Sequence, residues 1–257
     1  MTKKESFIPQ VKQGQTNFEI TQIIKAARND PDFENGNYLG QEFDCTIKSK
    51  IHPNKSGKII INVPGFMGSI DGYNNKYETL ANAMQNQNLG AVIRIRGHHF
   101  WGYLPDFQVR IALKLAIDNA IDICGKSNPD IYLMGFSAGA GSIAAIAHEY
   151  PQVKKILLVA PSFDMPIHLV QDGLEKFQGK VVILQGENDE IVSSKTGPMC
   201  FEMAKTKEKE IFMIPNCDHQ FKGTENGQIM SKAPFYTFSQ DPNTLNFPSP
   251  QGGLILY

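Results

Sequence analysis

Short apolar runs alternate with longer stretches of helical spacing along most of the chain. Residues 58–63 (K-I-I-I-N-V), 91–95 (A-V-I-R-I), 130–134 (D-I-Y-L-M), 155–159 (K-I-L-L-V), 180–184 (K-V-V-I-L) and 209–214 (K-E-I-F-M-I) are rich in β-branched and aliphatic residues. Continuous apolar character over such lengths predicts strands covered on both faces. Between them, residues 73–87, 107–124, 138–150, 169–177 and 197–205 predict amphipathic helices; in the first, Leu80 and Met84 lie one turn apart. Gly125 and Pro151 stop two of these. Strand and helix in alternation predict an α/β fold, with a mostly parallel central sheet and helices on both faces. The ends read differently. Residues 17–29 predict a short helix, and residues 40–50 an opening strand or hairpin arm. Residues 222–257 hold Pro234, Pro242, Pro248 and Pro250 among Phe235, Tyr236, Phe238 and Phe247. They predict an irregular tail packed on the rest by its aromatics, with a short helix near 225–231. No internal repeat interrupts the pattern, so residues 1–257 are expected to form one domain with its core at about 40–221.

Composition narrows the function. The chain has 257 residues, 41% hydrophobic and 20% charged, with 25 Lys plus Arg against 26 Asp plus Glu and a formal charge of −1. Nucleic-acid binding needs massed Lys and Arg, and none is massed here. Cys45, Cys124, Cys200 and Cys217 are scattered without a C-x-x-C spacing, which argues against a disulfide scaffold or zinc site. The first residues, M-T-K-K-E-S-F-I-P-Q, lack the apolar core of a signal peptide. No apolar stretch reaches the roughly 20 residues needed to span a bilayer. The expectation is a cytoplasmic protein acting on a small molecule, not on nucleic acid or from within a membrane. Oligomeric state has no signature.

In an open α/β sheet, ligands lie beyond the carboxyl ends of the strands, so the residues following each strand decide the chemistry. After residues 130–134 comes M-G-F-S-A-G-A-G, in which Gly135-Phe136-Ser137-Ala138-Gly139 fits G-x-S-x-G between a strand and a helix. That pattern forces a serine into a strained, exposed turn at a helix N-terminus, where developing negative charge is favoured. After residues 180–184 comes an acidic loop. There Asp189 is the best candidate to orient a histidine, with Glu187 and Glu190 as alternatives. After residues 209–214 comes His219, a candidate base; its neighbour Asp218 is poorly placed to orient it, because adjacent side chains point apart. Nucleophile, acid and histidine thus fall in the chain order of one known arrangement of the serine triad. After residues 58–63, Pro64-Gly65-Phe66-Met67-Gly68 would let backbone N–H groups approach a substrate oxygen, Phe66 pairing with Ala138 as an oxyanion hole.

These motifs, P-G-F-M-G-S, R-I-R-G-H, G-F-S-A-G, G-E-N-D-E-I-V and C-D-H-Q-F, resemble those of the α/β-hydrolase superfamily. The likeness is to its small serine esterases and prolyl-oligopeptidase-like catalytic domains, over about 58–221. The resemblance implies the α/β-hydrolase fold, with Ser137 as nucleophile, His219 as base, Asp189 as acid, and Phe66 and Ala138 as oxyanion donors. It implies hydrolysis of a carboxylic ester or thioester through an acyl-enzyme, without a cofactor. A small peptidase or amidase would use the same triad, and a non-catalytic binding protein on the same fold is a third reading. Two departures stand out. Many relatives carry His-Gly where this chain has Pro64-Gly65, and R-G-H-G-x-S where it has Arg96-Gly97-His98-His99-Phe100-Trp101. His98 and Trp101 are candidate substrate contacts, and Phe66, Phe100, Trp101 and Tyr103 suggest an aromatic acyl pocket. Caps in this superfamily usually follow the sixth strand. Here 160–179 holds one helix and its loops, so no large cap domain is expected. No H-E-x-x-H or similar pattern points to a metal.

Overall fold

A computed structural model of the chain describes residues 17–25, 42–97, 105–239 and 247–248. Among these, eight strands form one sheet: β1 (Asn17–Lys25), β2 (Glu42–His52), β3 (Lys58–Val63), β4 (Ala91–Ile95), β5 (Asp130–Phe136), β6 (Val153–Val159), β7 (Lys180–Gly186) and β8 (Lys209–Ile214). Their spatial order is β1-β2-β4-β3-β5-β6-β7-β8. The first two pair antiparallel, β2 runs antiparallel to β4, and all pairings from β4 to β8 are parallel. The carboxyl ends of β3 to β8 therefore share one edge. The chain moves from β3 outward to β4, then returns to the other side of β3 as β5. The loops after β3 and β5 diverge there, and a crevice opens between them.

Among the described residues, seven α-helices cover the sheet: α1 (Lys76–Asn86), α2 (Pro105–Asp118), α3 (Ala120–Cys124), α4 (Ala138–Ile146), α5 (Ile167–Lys176), α6 (Thr196–Met203) and α7 (Thr224–Phe238). Alternate residues of a strand face opposite ways, and two apolar layers result. Ile59, Ile61, Ile93, Leu133, Leu158 and Ile183 pack with α2 to α6, while Ile60, Val92, Tyr132, Leu157, Val182 and Phe212 pack with α1 and α7. Each fully buried aliphatic or aromatic side chain contributes about 1.5–3 kcal/mol. Burial on both faces explains why these strands read as unbroken apolar runs. Between β6 and β7 lies one 10-residue helix, α5, and no cap domain.

Three expectations need correction. Residues 17–25 are a strand, not the start of a helix. Phe18, Ile20, Ile23 and Ile24 suit either spacing, but β2 offers a free edge, and the pair aligns from Asn17 opposite Lys50 to Lys25 opposite Glu42. The long helix expected over 107–124 breaks at Asn119, whose side-chain amide donates to Leu115 O at 3.1 Å and ends α2. The tail is not irregular up to Phe238, because α7 runs 15 residues through Pro234. Burial decides this: Phe238 stacks on Tyr132 at 5.3 Å, and Tyr236 meets Phe212 edge-on at 5.2 Å. Lys155 Nζ then caps the helix end, donating to Thr237 O and Ser239 O.

Candidate active site

The turn from β5 into α4 is built by steric exclusion. Ser137 sits at φ 55°, ψ −121°, a region that non-glycine residues avoid at a cost of about 1–3 kcal/mol. Surrounding bonds hold it there. Its N–H donates to Val159 O at 2.9 Å, and its carbonyl accepts from Ala140 and Gly141. A Cβ on Gly135 would lie 2.6 Å from Ala140 N, and one on Gly139 would collide with the carbonyls of Val63 and Pro64. Glycine at both places lets strand, helix and the loop after β3 meet at the serine.

Two other loops converge on it. His219 Nε2 lies 3.1 Å from Ser137 Oγ, and His219 Nδ1 lies 2.8 Å from Asp189 Oδ2. The histidine is 6% and the aspartate 4% exposed. Asp189 is fully engaged: Oδ1 accepts the N–H of Ile191 and of Val192, and Oδ2 also accepts Gln185 Nε2 at 2.9 Å. Thr196 Oγ1 donates to Gln185 Oε1 and fixes that amide. Backbone bonds from Glu187 N–H to Ile214 O and from Asn188 N–H to Cys217 O tie the two loops together. A carboxylate with only acceptor atoms requires Nδ1 to carry the hydrogen. Nε2 is then free to receive a proton from the serine hydroxyl, which is the arrangement needed for general-base activation of a nucleophile.

Glu187 and Glu190 are exposed and make no bond to the imidazole. The Asp218 carboxylate turns instead to the N–H groups of Gln220 and Lys222, which hold its pKa below the usual range. Burial, reinforced by Asp218 and Asp189, pushes the nearby Cys217 thiol up to about 12, so it stays protonated and is no rival nucleophile. Gln185 escaped the sequence reading. Its only signal was a polar residue near the end of an apolar strand, four positions before the acid.

The loop after β3 lies against the elbow, since a Cβ on Gly65 would approach Ser137 Cβ to 3.0 Å. Phe66 is the next residue, and Ala138 begins α4, where first-turn N–H groups lack intrahelical acceptors. Backbone and side-chain bonds within this chain brace the loop. Gly68 N–H bonds Gly65 O, and Gly97 N–H bonds Gly68 O at 2.8 Å. The buried Arg94 donates to Ile70 O and to Asp71 Oδ1, while its Nε donates to His52 Nε2 at 3.0 Å. Burial alone would raise the Asp71 carboxyl, but hydrogen bonds from Lys50 and Arg94 outweigh it and hold it below 3.8. Beside Ser137 opens a cavity of about 1070 Å³, walled by Gly65, Phe66, Lys76, Tyr77 and Phe136 on one side and the start of α7 on the other. His98 and Trp101 lie outside the described residues. Among the described residues, no cluster of three or more His, Cys, Asp or Glu could hold a metal ion, and no helix is long and apolar enough to cross a membrane.

The fold can be set against known ones. No family model matches the chain, and no curated protein matches it in sequence. Solved structures do. An esterase from Pyrococcus furiosus superposes with a TM-score of 0.60 at 13% identity, covering 90% of this chain and 99% of that one. Est1E from Butyrivibrio proteoclasticus gives 0.57 at 15% identity, over 83% and 95% of the two chains. A monoacylglycerol lipase from Paleococcus ferrophilus gives 0.57 at 13%, over 73% and 96%. The chain has the α/β-hydrolase fold. Within the α/β-hydrolase fold, sequence this divergent from its neighbours leaves the chemistry to be argued from the side chains themselves.

Proposed function

We propose that this protein is a serine hydrolase that cleaves a carboxylic ester or thioester through an acyl-enzyme. Ser137 Oγ attacks the carbonyl carbon while His219 Nε2 takes its proton, and Asp189 steadies the imidazolium through Nδ1. The N–H groups of Phe66 and Ala138 receive the negative charge on the carbonyl oxygen. The imidazolium then protonates the departing alcohol or thiol, leaving Ser137 acylated. Water, deprotonated by His219, attacks the acyl-enzyme and releases the acid. One observation carries this reading: the unbroken chain of hydrogen bonds from Ser137 through His219 to the saturated Asp189, at 3.1 and 2.8 Å. The esterase and lipase among the structural neighbours favour an ester over an amide. We read the chain as one catalytic domain. Its buried free thiols, Cys124, Cys200 and Cys217, suit a reducing cytoplasm.

A fluorophosphonate probe tests the assignment. The wild-type protein is expected to be labelled once, at Ser137, and to hydrolyse 4-nitrophenyl esters from a chain-length series. A Ser137→Ala protein is expected to do neither. Labelling that survives this substitution would overturn the assignment of the nucleophile.

A further inference from the structure

The cavity beside Ser137 is lined by charge of one sign. Lys76, Lys222 and Lys232 contribute to its wall, and among the described residues no Asp or Glu does. Lys222 has Asp218 as an ion-pair partner at 3.3 Å, and Lys232 has an interaction of its own. Lys76 is different. Its half-buried ammonium lies 5.1 Å from the centre of the Tyr77 ring and 5.6 Å from that of Phe136, with no carboxylate or hydrogen-bond acceptor among the described residues. Ring faces offset only part of what an ammonium loses with its water. Burial accordingly pulls the Lys76 pKa down. The position matters as much as the charge. Phe136 immediately precedes Ser137, and its ring lies 5.0 Å from that of His219. The Phe136 ring thus neighbours both the ammonium and the imidazole, and the two separations laid end to end are the greatest distance from the ammonium to the centre of the imidazole.

We propose that Lys76 is a specificity-determining residue that binds a carboxylate of the substrate in this cavity, so that the ester cleaved carries a negative charge on its acyl or alcohol part. This rests on the hydrolase reading above and adds the substrate class. A neutral ester would leave the ammonium uncompensated. A carboxylate would complete an ion pair in a partly desolvated wall, where such pairs are stronger than at an open surface.

Two arms test the proposal separately from hydrolysis. In the first, ligand-observed NMR follows monomethyl adipate and methyl hexanoate binding to the Ser137→Ala protein, alone and with Lys76→Gln or Lys76→Arg. Lys76→Gln is expected to weaken the adipate half-ester about tenfold or more relative to the neutral ester, and Lys76→Arg to keep most of the difference. In the second, kcat/KM is compared for mono-4-nitrophenyl adipate against 4-nitrophenyl hexanoate, and for 4-acetoxybenzoate against phenyl acetate. The pair whose ratio falls with Lys76→Gln identifies the side of the ester that carries the charge. Binding that ignores Lys76, or an arginine variant that loses as much as the glutamine one, overturns the carboxylate site even if hydrolysis proceeds. Lys76-dependent binding without turnover of any ester would uphold the site and overturn the hydrolase reading.

Discussion

The two sides of Ser137 are built on opposite plans. Toward the imidazole, polar groups are paired within the protein: Asp189 accepts from Ile191, Val192, Gln185 and His219, and Gln185 is itself held by Thr196. Toward the cavity, the wall mixes ring faces and glycines with lysines and neutral polar side chains; the Lys76 ammonium has no anion among the described residues, and Met67 and Tyr73 are exposed nearby, at 61% and 81%. The first side needs no ligand to reach its working geometry, which is what preorganised electrostatics requires. On the proposal above, the second would be complete only with a substrate carboxylate bound. On the proposed mechanism, the fold would fix proton transfer, and choice of substrate would fall to residues of α1, α7 and the loop after β3.

The sharpest way to break the paired side is Asp189→Asn. The amide keeps the shape, but an NH₂ in place of Oδ2 would face the donors of Gln185 and His219 Nδ1, forcing the wrong tautomer. We expect kcat on a 4-nitrophenyl ester to fall about 10⁴-fold, with a drop in Tm of a few degrees from the buried Gln185 donor left unpaired. Glu187→Gln and Glu190→Gln, both exposed, are expected to keep kcat within about twofold. Greater harm from either glutamate variant would move the acid away from Asp189. Next in size is Gln185→Leu, which removes one donor to Asp189 without touching substrate. A positioning role predicts about a tenfold loss in kcat at unchanged KM, checked by steady-state kinetics. A loss confined to KM would contradict it.

What the sequence made legible was local. Residues 91–95 and 209–214 are strands to the residue; Gly90 and Arg96 bound the first, and Pro215 ends the second. The G-x-S-x-G turn could be read because its cause, crowding of Gly135 and Gly139, lies within a few residues and the adjoining loop. What stayed hidden depends on partners far along the chain. Residues 17–25 become a strand only because residues 42–50 pair with them. Pro234 breaks helices as a rule, yet Ala233 and Phe238 bury against strands more than 20 residues away, and packing prevails. Nothing in the sequence singles out Lys76; only folding sets it beside Phe136.

The cavity side rests on a brace, and Arg94→Met tests it. The substitution keeps the apolar stem but removes the bonds to His52, Ile70 O and Asp71. Asp71 retains Lys50 at 2.9 Å and partial exposure, so the loss should be moderate. We expect about 2 kcal/mol, or a fall in Tm of roughly 5 °C by calorimetry. Because the brace holds the loop of Gly65 and Phe66, kcat should fall as well. Unchanged kcat in a destabilised protein would mean that the loop keeps its place without Arg94.

The smallest effect is the most diagnostic of charge. Lys50 and Arg94 hold the Asp71 carboxyl below its ordinary value of 3.8. Between the lowered value and 3.8, the unfolded chain binds a proton that the folded one refuses, so stability rises with pH there. The contribution is complete above 3.8 and disappears as pH falls through the folded value. Asp71→Asn should therefore melt a few degrees below wild type at pH 7 and at pH 5, with the gap narrowing steadily below pH 4. Thermal scans at intervals from pH 7 to pH 2.5 measure that gap. If it kept its full size at the acid end, lost shape or hydrogen bonding, not charge, would account for the whole effect, and the brace on the cavity loop would owe nothing to the ion pair.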